Sequence, residues 1–153
     1  MGEWADNDLF PILETITYSL FNITYGVQKV KKGTRKPMTD SIMFTKAKAF
    51  ALRIVRLYNY LRDRKESVIA KQMLRSGTSI GANIDESRYA QSKPDFVSKL
   101  QVALKEAAET QYWLELLSDA EFVKSDKAFT SLCNDCTELI KLLTSSVKTA
   151  KTK

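Results

Sequence analysis

The sequence predicts an all-α fold. The expected architecture is an antiparallel up-down-up-down four-helix bundle over residues 38–148, with an N-terminal extension (1–37) and a short basic tail (149–153). Three observations lead there. The chain has only five Gly and three Pro in 153 residues, too few for a turn-rich β fold. Four long stretches place apolar residues at alternating steps of three and four. The connections between those stretches are short, which makes successive helices antiparallel neighbours.

Residues 1–37 differ from the rest. Leu9, Ile12, Leu13, Ile16 and Leu20 have helical spacing, with Asn7 or Asp8 as a possible N-cap and Pro11 tolerable in the first turn. Thr15, Ile16, Thr17, Tyr18, Phe21, Ile23, Thr24 and Tyr25 supply the β-branched and aromatic content of a strand, so the type stays open. Lys29, Lys31, Lys32, Gly33, Arg35, Lys36 and Pro37 then form a basic, breaker-containing linker, which reads either as a nucleic-acid arm or as a solvated connection.

The first bundle helix is expected from Thr39–Ser41, where Asp40 or Ser41 can cap, to about Asp63. Ala47, Phe50, Ile54, Leu57 and Leu61 carry its core face, widened by Ala51 and Tyr58. The opposite face bears Lys46, Arg53, Arg56 and Arg64 with Tyr60 interleaved, a pattern suited to phosphate contact and base stacking. A solvated helix surface accounts for the same pattern.

The second helix, from Ser67 or Glu66 to between Tyr89 and Lys93, is built largely from poor helix formers. Ser76, Gly77, Thr78, Ser79, Gly81 and Asn83 are interrupted by few aliphatics, so this helix depends on tertiary packing. Ile69, Met73, Ser76, Ile80, Asn83 and Ser87 form its heptad, with Ala70, Leu74, Gly77, Gly81 and Ile84 as a second row. Small residues there let another helix approach closely. A polar seam is expected from Arg75, Ser76, Ser79, Asn83 and Glu86 facing Glu106, Glu109 or Gln111, with Arg75 bridged to a glutamate of the third helix.

Ser92, Pro94 and Asp95 signal the start of the third helix, a near capping box with Pro in the first turn. Phe96, Leu100, Ala103, Ala107, Thr110, Leu114 and Leu117 hold a heptad to about Ser118. Phe122 and Val123 read as a plug beside the next connection. The fourth helix, capped by Ser125 or Asp126, carries Phe129, Leu132, Cys136, Leu139 and Leu143, and beyond Ser146 the chain is expected to fray. The second apolar row on each helix exceeds what one bundle core needs, which points to oligomerisation.

Chemistry is constrained by what is missing. The chain has no histidine, the commonest general base and metal ligand. Cys133 and Cys136 form a C-x-x-C inside a helix, with no second thiol pair to complete a zinc site, and read as core or boundary residues. Glu86, Glu106 and Glu109 invite comparison with di-metal carboxylate bundles, but those sites use Glu-x-x-His. No Gly-rich phosphate loop occurs. A non-enzymatic protein without metal or cofactor is therefore expected. No signal peptide and no apolar run of about twenty residues is present, so the cytoplasm is expected and a membrane partner is not.

The net charge is +6. Residues 1–37 hold five basic and four acidic side chains, leaving +5 on the remainder, so the positive charge belongs to the bundle. That is compatible with a polyanionic partner without requiring one.

From Lys48 to Leu117 the sequence resembles the bacterial four-helix-bundle family encoded in intervening sequences of 23S rRNA genes. The residues that carry the resemblance are Ala49-Phe50-Ala51, Arg53-Ile54 and Leu57-Tyr58, then Gln72-Met73-Leu74-Arg75-Ser76 and Ser79-Ile80-Gly81-Ala82-Asn83-Ile84-Asp85-Glu86. Phe96, Lys99-Leu100, Ala103, Glu106-Ala107, Glu109-Thr110 and Trp113-Leu114 continue it. The resemblance implies a homopentamer with no established enzymatic activity. It also implies kinship with the accessory protein of diversity-generating retroelements, a basic pentamer that binds reverse transcriptase and RNA. Residues 1–37 have no counterpart in that family. The leading expectation is an oligomeric bundle that binds structured ribosomal or retroelement RNA through Lys46, Arg53, Arg56, Arg62 and Arg64. The alternative is a scaffold that docks a protein such as a reverse transcriptase.

Overall fold

The computed structural model describes residues 42–152. The expectations for the N-terminal extension, the basic linker and the caps at Asp40 and Ser41 lie outside the described residues. Four helices follow in order: α1 (Ile42–Asp63), α2 (Val68–Glu86), α3 (Lys93–Asp119) and α4 (Lys127–Thr152), with a 3-10 turn, Ser87–Tyr89, ending α2. Each helix packs on the next, and α4 closes back onto α1, which leaves α1 and α3 on one diagonal and α2 and α4 on the other. The described residues form an all-α four-helix bundle, and short connections make its neighbours antiparallel.

The heptads bury nearly all that they were expected to bury; the exception on α3 is Phe96, which is half-buried at the core's edge while its neighbour Val97 takes the core position. Ala47, Phe50, Ile54, Leu57 and Leu61 of α1 are all within 1% of full burial, and Leu100, Ala103, Ala107, Thr110, Leu114 and Leu117 of α3 likewise. On α4 the row Phe129, Leu132, Cys136, Leu139 and Leu143 is buried, and Val147 extends it. The buried stripe of α2 runs between its two expected rows: Ala70, Met73, Ser76, Gly77, Ile80, Ile84 and Ser87 are buried, whereas Ile69 and Asn83 lie at the flank. Met73, Ser76, Ile80 and Ser87 of the first row stay in the core, and Ala70, Gly77 and Ile84 of the second row join them there.

Helix ends show how the chain turns. Ser92 Oγ accepts from Asp95 N at 3.2 Å, while Asp95 Oδ2 accepts from Gln91 N at 3.0 Å, one residue before the reciprocal donor of a regular capping box. At the α2 start the cap is Glu66, whose Oε1 accepts from Ile69 N, and the Ser67 side chain makes no cap bond. Asp126 caps α4 through Phe129 N at 2.8 Å. Both α1 and α3 end in a Schellman arrangement: Glu66 N reaches Leu61 O and Lys65 N reaches Arg62 O, while Phe122 N reaches Leu117 O and Glu121 N reaches Ser118 O. The left-handed residues are Lys65 (φ 67°) and Glu121 (φ 59°), not glycine. Val123 is buried under this turn and Phe122 stays 41% exposed, so only the valine acts as the plug.

One difference concerns the tail. Instead of fraying beyond Ser146, α4 continues to Thr152, because Val147 and Ala150 still meet the core. Its last turn also carries Lys151, favourably placed against the helix dipole.

Gly77 marks a close approach of α2 to α1. A Cβ built on it would lie 2.8 Å from Ile54 Cγ2 of α1, whereas one on Gly81 would meet Ala47 O at an ordinary 3.7 Å. Only the first of the two glycines is required by packing.

Candidate nucleic-acid interface

The basic residues of α1 occupy several different environments. Arg53, one position before the buried Ile54, lies along the groove between α1 and α4 with its side chain 19% exposed. Its Nη1 donates to Asp135 Oδ2 at 2.5 Å and to Ser131 Oγ at 3.2 Å, and its Nη2 donates to Ala128 O at 2.9 Å. The planar guanidinium thus ties α1 to three residues on successive turns of α4. Lys46 makes a second tie, from Nζ to Glu138 Oε2 at 2.8 Å. Arg62 pairs with its neighbour Asp63 at 2.9 Å. Arg64 stacks its guanidinium 4.2 Å from the Tyr60 ring centre, occupying one face of the aromatic expected to stack on bases. Arg56 is half-buried on α1. The structure therefore engages Lys46, Arg53, Arg62 and Arg64 within the bundle itself.

The polar seam divides into a buried part and a rim. Thr110 Oγ1 of α3 donates to Ser76 Oγ of α2 at 2.9 Å, and Ser76 Oγ in turn donates to Gln72 O at 3.1 Å. Both residues are fully buried. Thr110, read from the sequence only as a heptad position, is the partner that sequence reasoning missed; a polar residue in an otherwise apolar row was the available signal. Arg75 bridges to Glu109 across α2 and α3, with Glu106 Oε2 4.0 Å from its other terminal nitrogen. Arg75 is 57% exposed, so this bridge lies at the rim, where solvent weakens it. Glu106 Oε2 is buried without a hydrogen bond, and the long approach of Arg75 is its nearest charge compensation. Trp113 Nε1 donates to Glu109 Oε1 at 3.1 Å, fixing the carboxylate between Trp and Arg.

Asn83 does not cross to another helix. Its Nδ2 donates to Ser79 O one turn back, at 2.9 Å. Ser79 is half-buried. Glu86 sits at the rim and accepts from Lys99 Nζ of α3 at 2.5 Å, which raises the Lys99 pKa above its usual value by hydrogen bonding and charge.

The cysteines are not poised for chemistry. Burial pushes the Cys133 thiol up, and burial together with neighbouring acidic groups pushes Cys136 up to about 12. Cys136 Sγ donates to Ala107 O at 3.5 Å and packs as a core residue. Among the described residues no cluster of three His, Cys, Asp or Glu could hold a metal ion. No helix among them is long and apolar enough to cross a membrane.

A family model described as "23S rRNA-intervening sequence protein" matches residues 39–145. The chain belongs to this family. A solved structure from Bacteroides thetaiotaomicron, described as a protein of unknown function from the S23 ribosomal protein family, is 53% identical. It covers 70% of this chain and 99% of its own, with a TM-score of 0.67. No curated protein matches the sequence.

The weak-former helix α2 lies within the residues matched by the 23S rRNA-intervening sequence family. The motif from Gln72 to Glu86 supplies the Gly77 contact, the buried Ser76 and the rim residues Arg75 and Glu86, so it encodes how α2 seats against α1 and α3.

Proposed function

We propose that this protein is a non-enzymatic, homo-oligomeric, cytoplasmic bundle that binds structured RNA by neutralising phosphates. The observation that carries the reading is the surplus of positive charge on the bundle. The described residues hold eighteen basic and thirteen acidic side chains, and several exposed lysines, among them Lys93, Lys141, Lys148 and Lys151, have no ion-pair partner among the described residues. The family name and the ribosomal-protein family of the Bacteroides neighbour put ribosomal RNA first among structured RNAs to try. Repetition of one basic surface around an oligomer supplies avidity and a preference for shape over sequence.

Salt-titrated binding to an RNA stem-loop tests this. Affinity should fall linearly on a log-log plot against salt as counterions are released. Absence of binding at low salt, or affinity indifferent to salt, rejects the reading.

A second reading is a scaffold that docks a protein partner such as a polymerase. Leu52 and Val55 on the outer face of α1 are 47% and 38% exposed, and Val102 and Tyr112 on that of α3 are 38% and 56% exposed. Leu52 and Val55 lie one helical turn apart, Val102 and Tyr112 lie ten residues apart on the outer side of α3, and the two helices stand on one diagonal of the bundle. Distinct apolar faces on opposite sides suit head-to-tail contacts that close into a ring, in line with a pentamer. They would equally receive a different protein. Leu52→Gln combined with Tyr112→Gln separates the two: loss of the oligomer with partner binding retained assigns these faces to homo-assembly, whereas loss of partner binding with the oligomer intact assigns them to docking.

A further inference from the structure

The surplus charge is not spread along the bundle. One end gathers the start of α1, the end of α2, the start of α3 and the end of α4, and contacts between those segments define it. Arg88 lies 5.6 Å from the Phe44 ring, Lys99 pairs with Glu86, Lys46 pairs with Glu138, and Ser146 Oγ lies 3.9 Å from Met43 Sδ. That end carries eight basic residues: Lys46 and Lys48 on α1, Arg88, Lys93 and Lys99 on the next two segments, and Lys141, Lys148 and Lys151 on α4. Four acids face them: Asp85, Glu86, Asp95 and Glu138.

The middle is balanced and the far end carries a single net charge. In the middle, Arg53, Arg56, Arg75 and Lys105 stand against Glu106, Glu109, Glu115 and Asp135. At the far end six cations (Arg62, Arg64, Lys65, Lys71, Lys124 and Lys127) stand against five acids, Asp63, Glu66, Asp119, Glu121 and Asp126, a net charge of one. Four of the five net charges thus sit at one end.

The acids of that end are already committed. Glu86 holds Lys99, Glu138 holds Lys46, Asp85 holds Arg88 at 2.7 Å, and Asp95 accepts from the Gln91 backbone. Lys141, Lys148, Lys151 and Lys93 are exposed and have no such partner among the described residues. Lys141 and Lys148 are seven residues apart and share one face of α4, with Ser145 between them offering a hydroxyl. The helix dipole accounts for Lys151 in the last turn, but its influence does not extend to Lys141.

We infer that this end of the bundle is the RNA-docking surface, with Lys141, Lys148 and Lys151 as its principal phosphate contacts. The inference rests on the RNA reading above and narrows it from the α1 face to one end. An exposed ammonium without a carboxylate partner contacts phosphate without first breaking an ion pair, which Lys46 and Arg53 must do.

The test compares two full-length triple variants of equal charge change. Lys141→Gln/Lys148→Gln/Lys151→Gln removes three charges from the proposed end, and Lys71→Gln/Lys124→Gln/Lys127→Gln removes three from the other. Both are titrated with a fluorescein-labelled RNA stem-loop across salt concentrations. Expected for the first is at least about a tenfold loss at low salt and a salt slope shallower by about 2 to 3, with the second within about twofold of wild type. Should the first triple lose its helical circular dichroism, Lys148→Gln/Lys151→Gln carries the same comparison. Equal losses in both, or a larger loss in the second, overturn the placement while leaving RNA binding intact. Wild type that fails to bind overturns both.

Discussion

Arg53 and Asp135, 82 residues apart in sequence, meet at 2.5 Å across the groove between α1 and α4. The pair changes what Arg53 is for. A guanidinium that also holds Ser131 and the Ala128 carbonyl is a structural tie, and removing it takes a charged donor from the Asp135 carboxylate. Arg53→Ala is expected to lower the unfolding free energy by about 1 to 2 kcal/mol, the range for hydrogen bonds to charged groups discounted because Asp135 is 41% exposed. Urea unfolding measures it. Arg53→Lys should recover less than half, since one ammonium cannot span three acceptors. A stability unchanged by Arg53→Ala would contradict the tie.

The two central glycines of α2 should respond in opposite directions to the same change. Gly77→Ala forces a methyl to within 2.8 Å of Ile54 Cγ2 and is expected to destabilise by about 1 to 3 kcal/mol, as overpacking does, against which improved helix propensity returns at most about 1. Gly81→Ala meets only ordinary contacts and should be neutral or stabilising by about 0.5 to 1 kcal/mol. Thermal unfolding of the two variants side by side decides it. A tolerated Gly77→Ala would mean that α1 and α2 can part without loss.

Most of the fold was legible because burial on a helix repeats with a fixed period. The rows of α1, α3 and α4 could be written from spacing alone, and Ser92 with Asp95 marked a helix start by a local bond. Pairings between helices were not legible. Whether Ser76 meets Thr110, or Arg53 meets Asp135, depends on the rotation and offset of two helices, which no local pattern encodes. Asn83 illustrates the opposite error: a seam position by heptad count, it turns back to its own helix at Ser79. Helix ends at Lys65 and Glu121 lacked the usual glycine, so their left-handed backbone was invisible in composition. Net charge was known from the sequence, but its concentration at one end emerges only when the helices are antiparallel.

The buried hydroxyl pair makes a double-mutant prediction. Ser76→Ala deprives Thr110 of one acceptor, but Thr110 Oγ1 can still donate to Glu106 O at 2.7 Å. Thr110→Val leaves Ser76 donating to Gln72 O. Each single variant is expected to cost about 1 kcal/mol, and the double variant less than the sum, with a coupling of about 0.5 to 1 kcal/mol. Strict additivity in urea unfolding would show that the contact between the two oxygens contributes nothing.

The Cys136 thiol makes stability depend on alkaline pH. Its pKa rises from 9.0 to about 12 in the fold, first because burial disfavours the thiolate. Between these values the unfolded chain has lost the proton that the native protein still holds, so unfolding is favoured as pH rises. The stabilisation is fully present below pH 9 and is lost on the way to pH 12, with a limiting slope of about 1.4 kcal/mol per pH unit for one group. Lysines and tyrosines titrate in the same window, so the comparison is with Cys136→Ala: the variant starts lower because of the vacated volume, but its stability should fall less steeply from pH 9 to 11. Parallel pH profiles would mean that Cys136 ionises as readily in the native bundle as in the unfolded chain. The same burial predicts that native protein at pH 8 reacts with a thiol reagent at Cys136 only as fast as it unfolds, which a unit-by-unit mass count of labelled thiols would read directly.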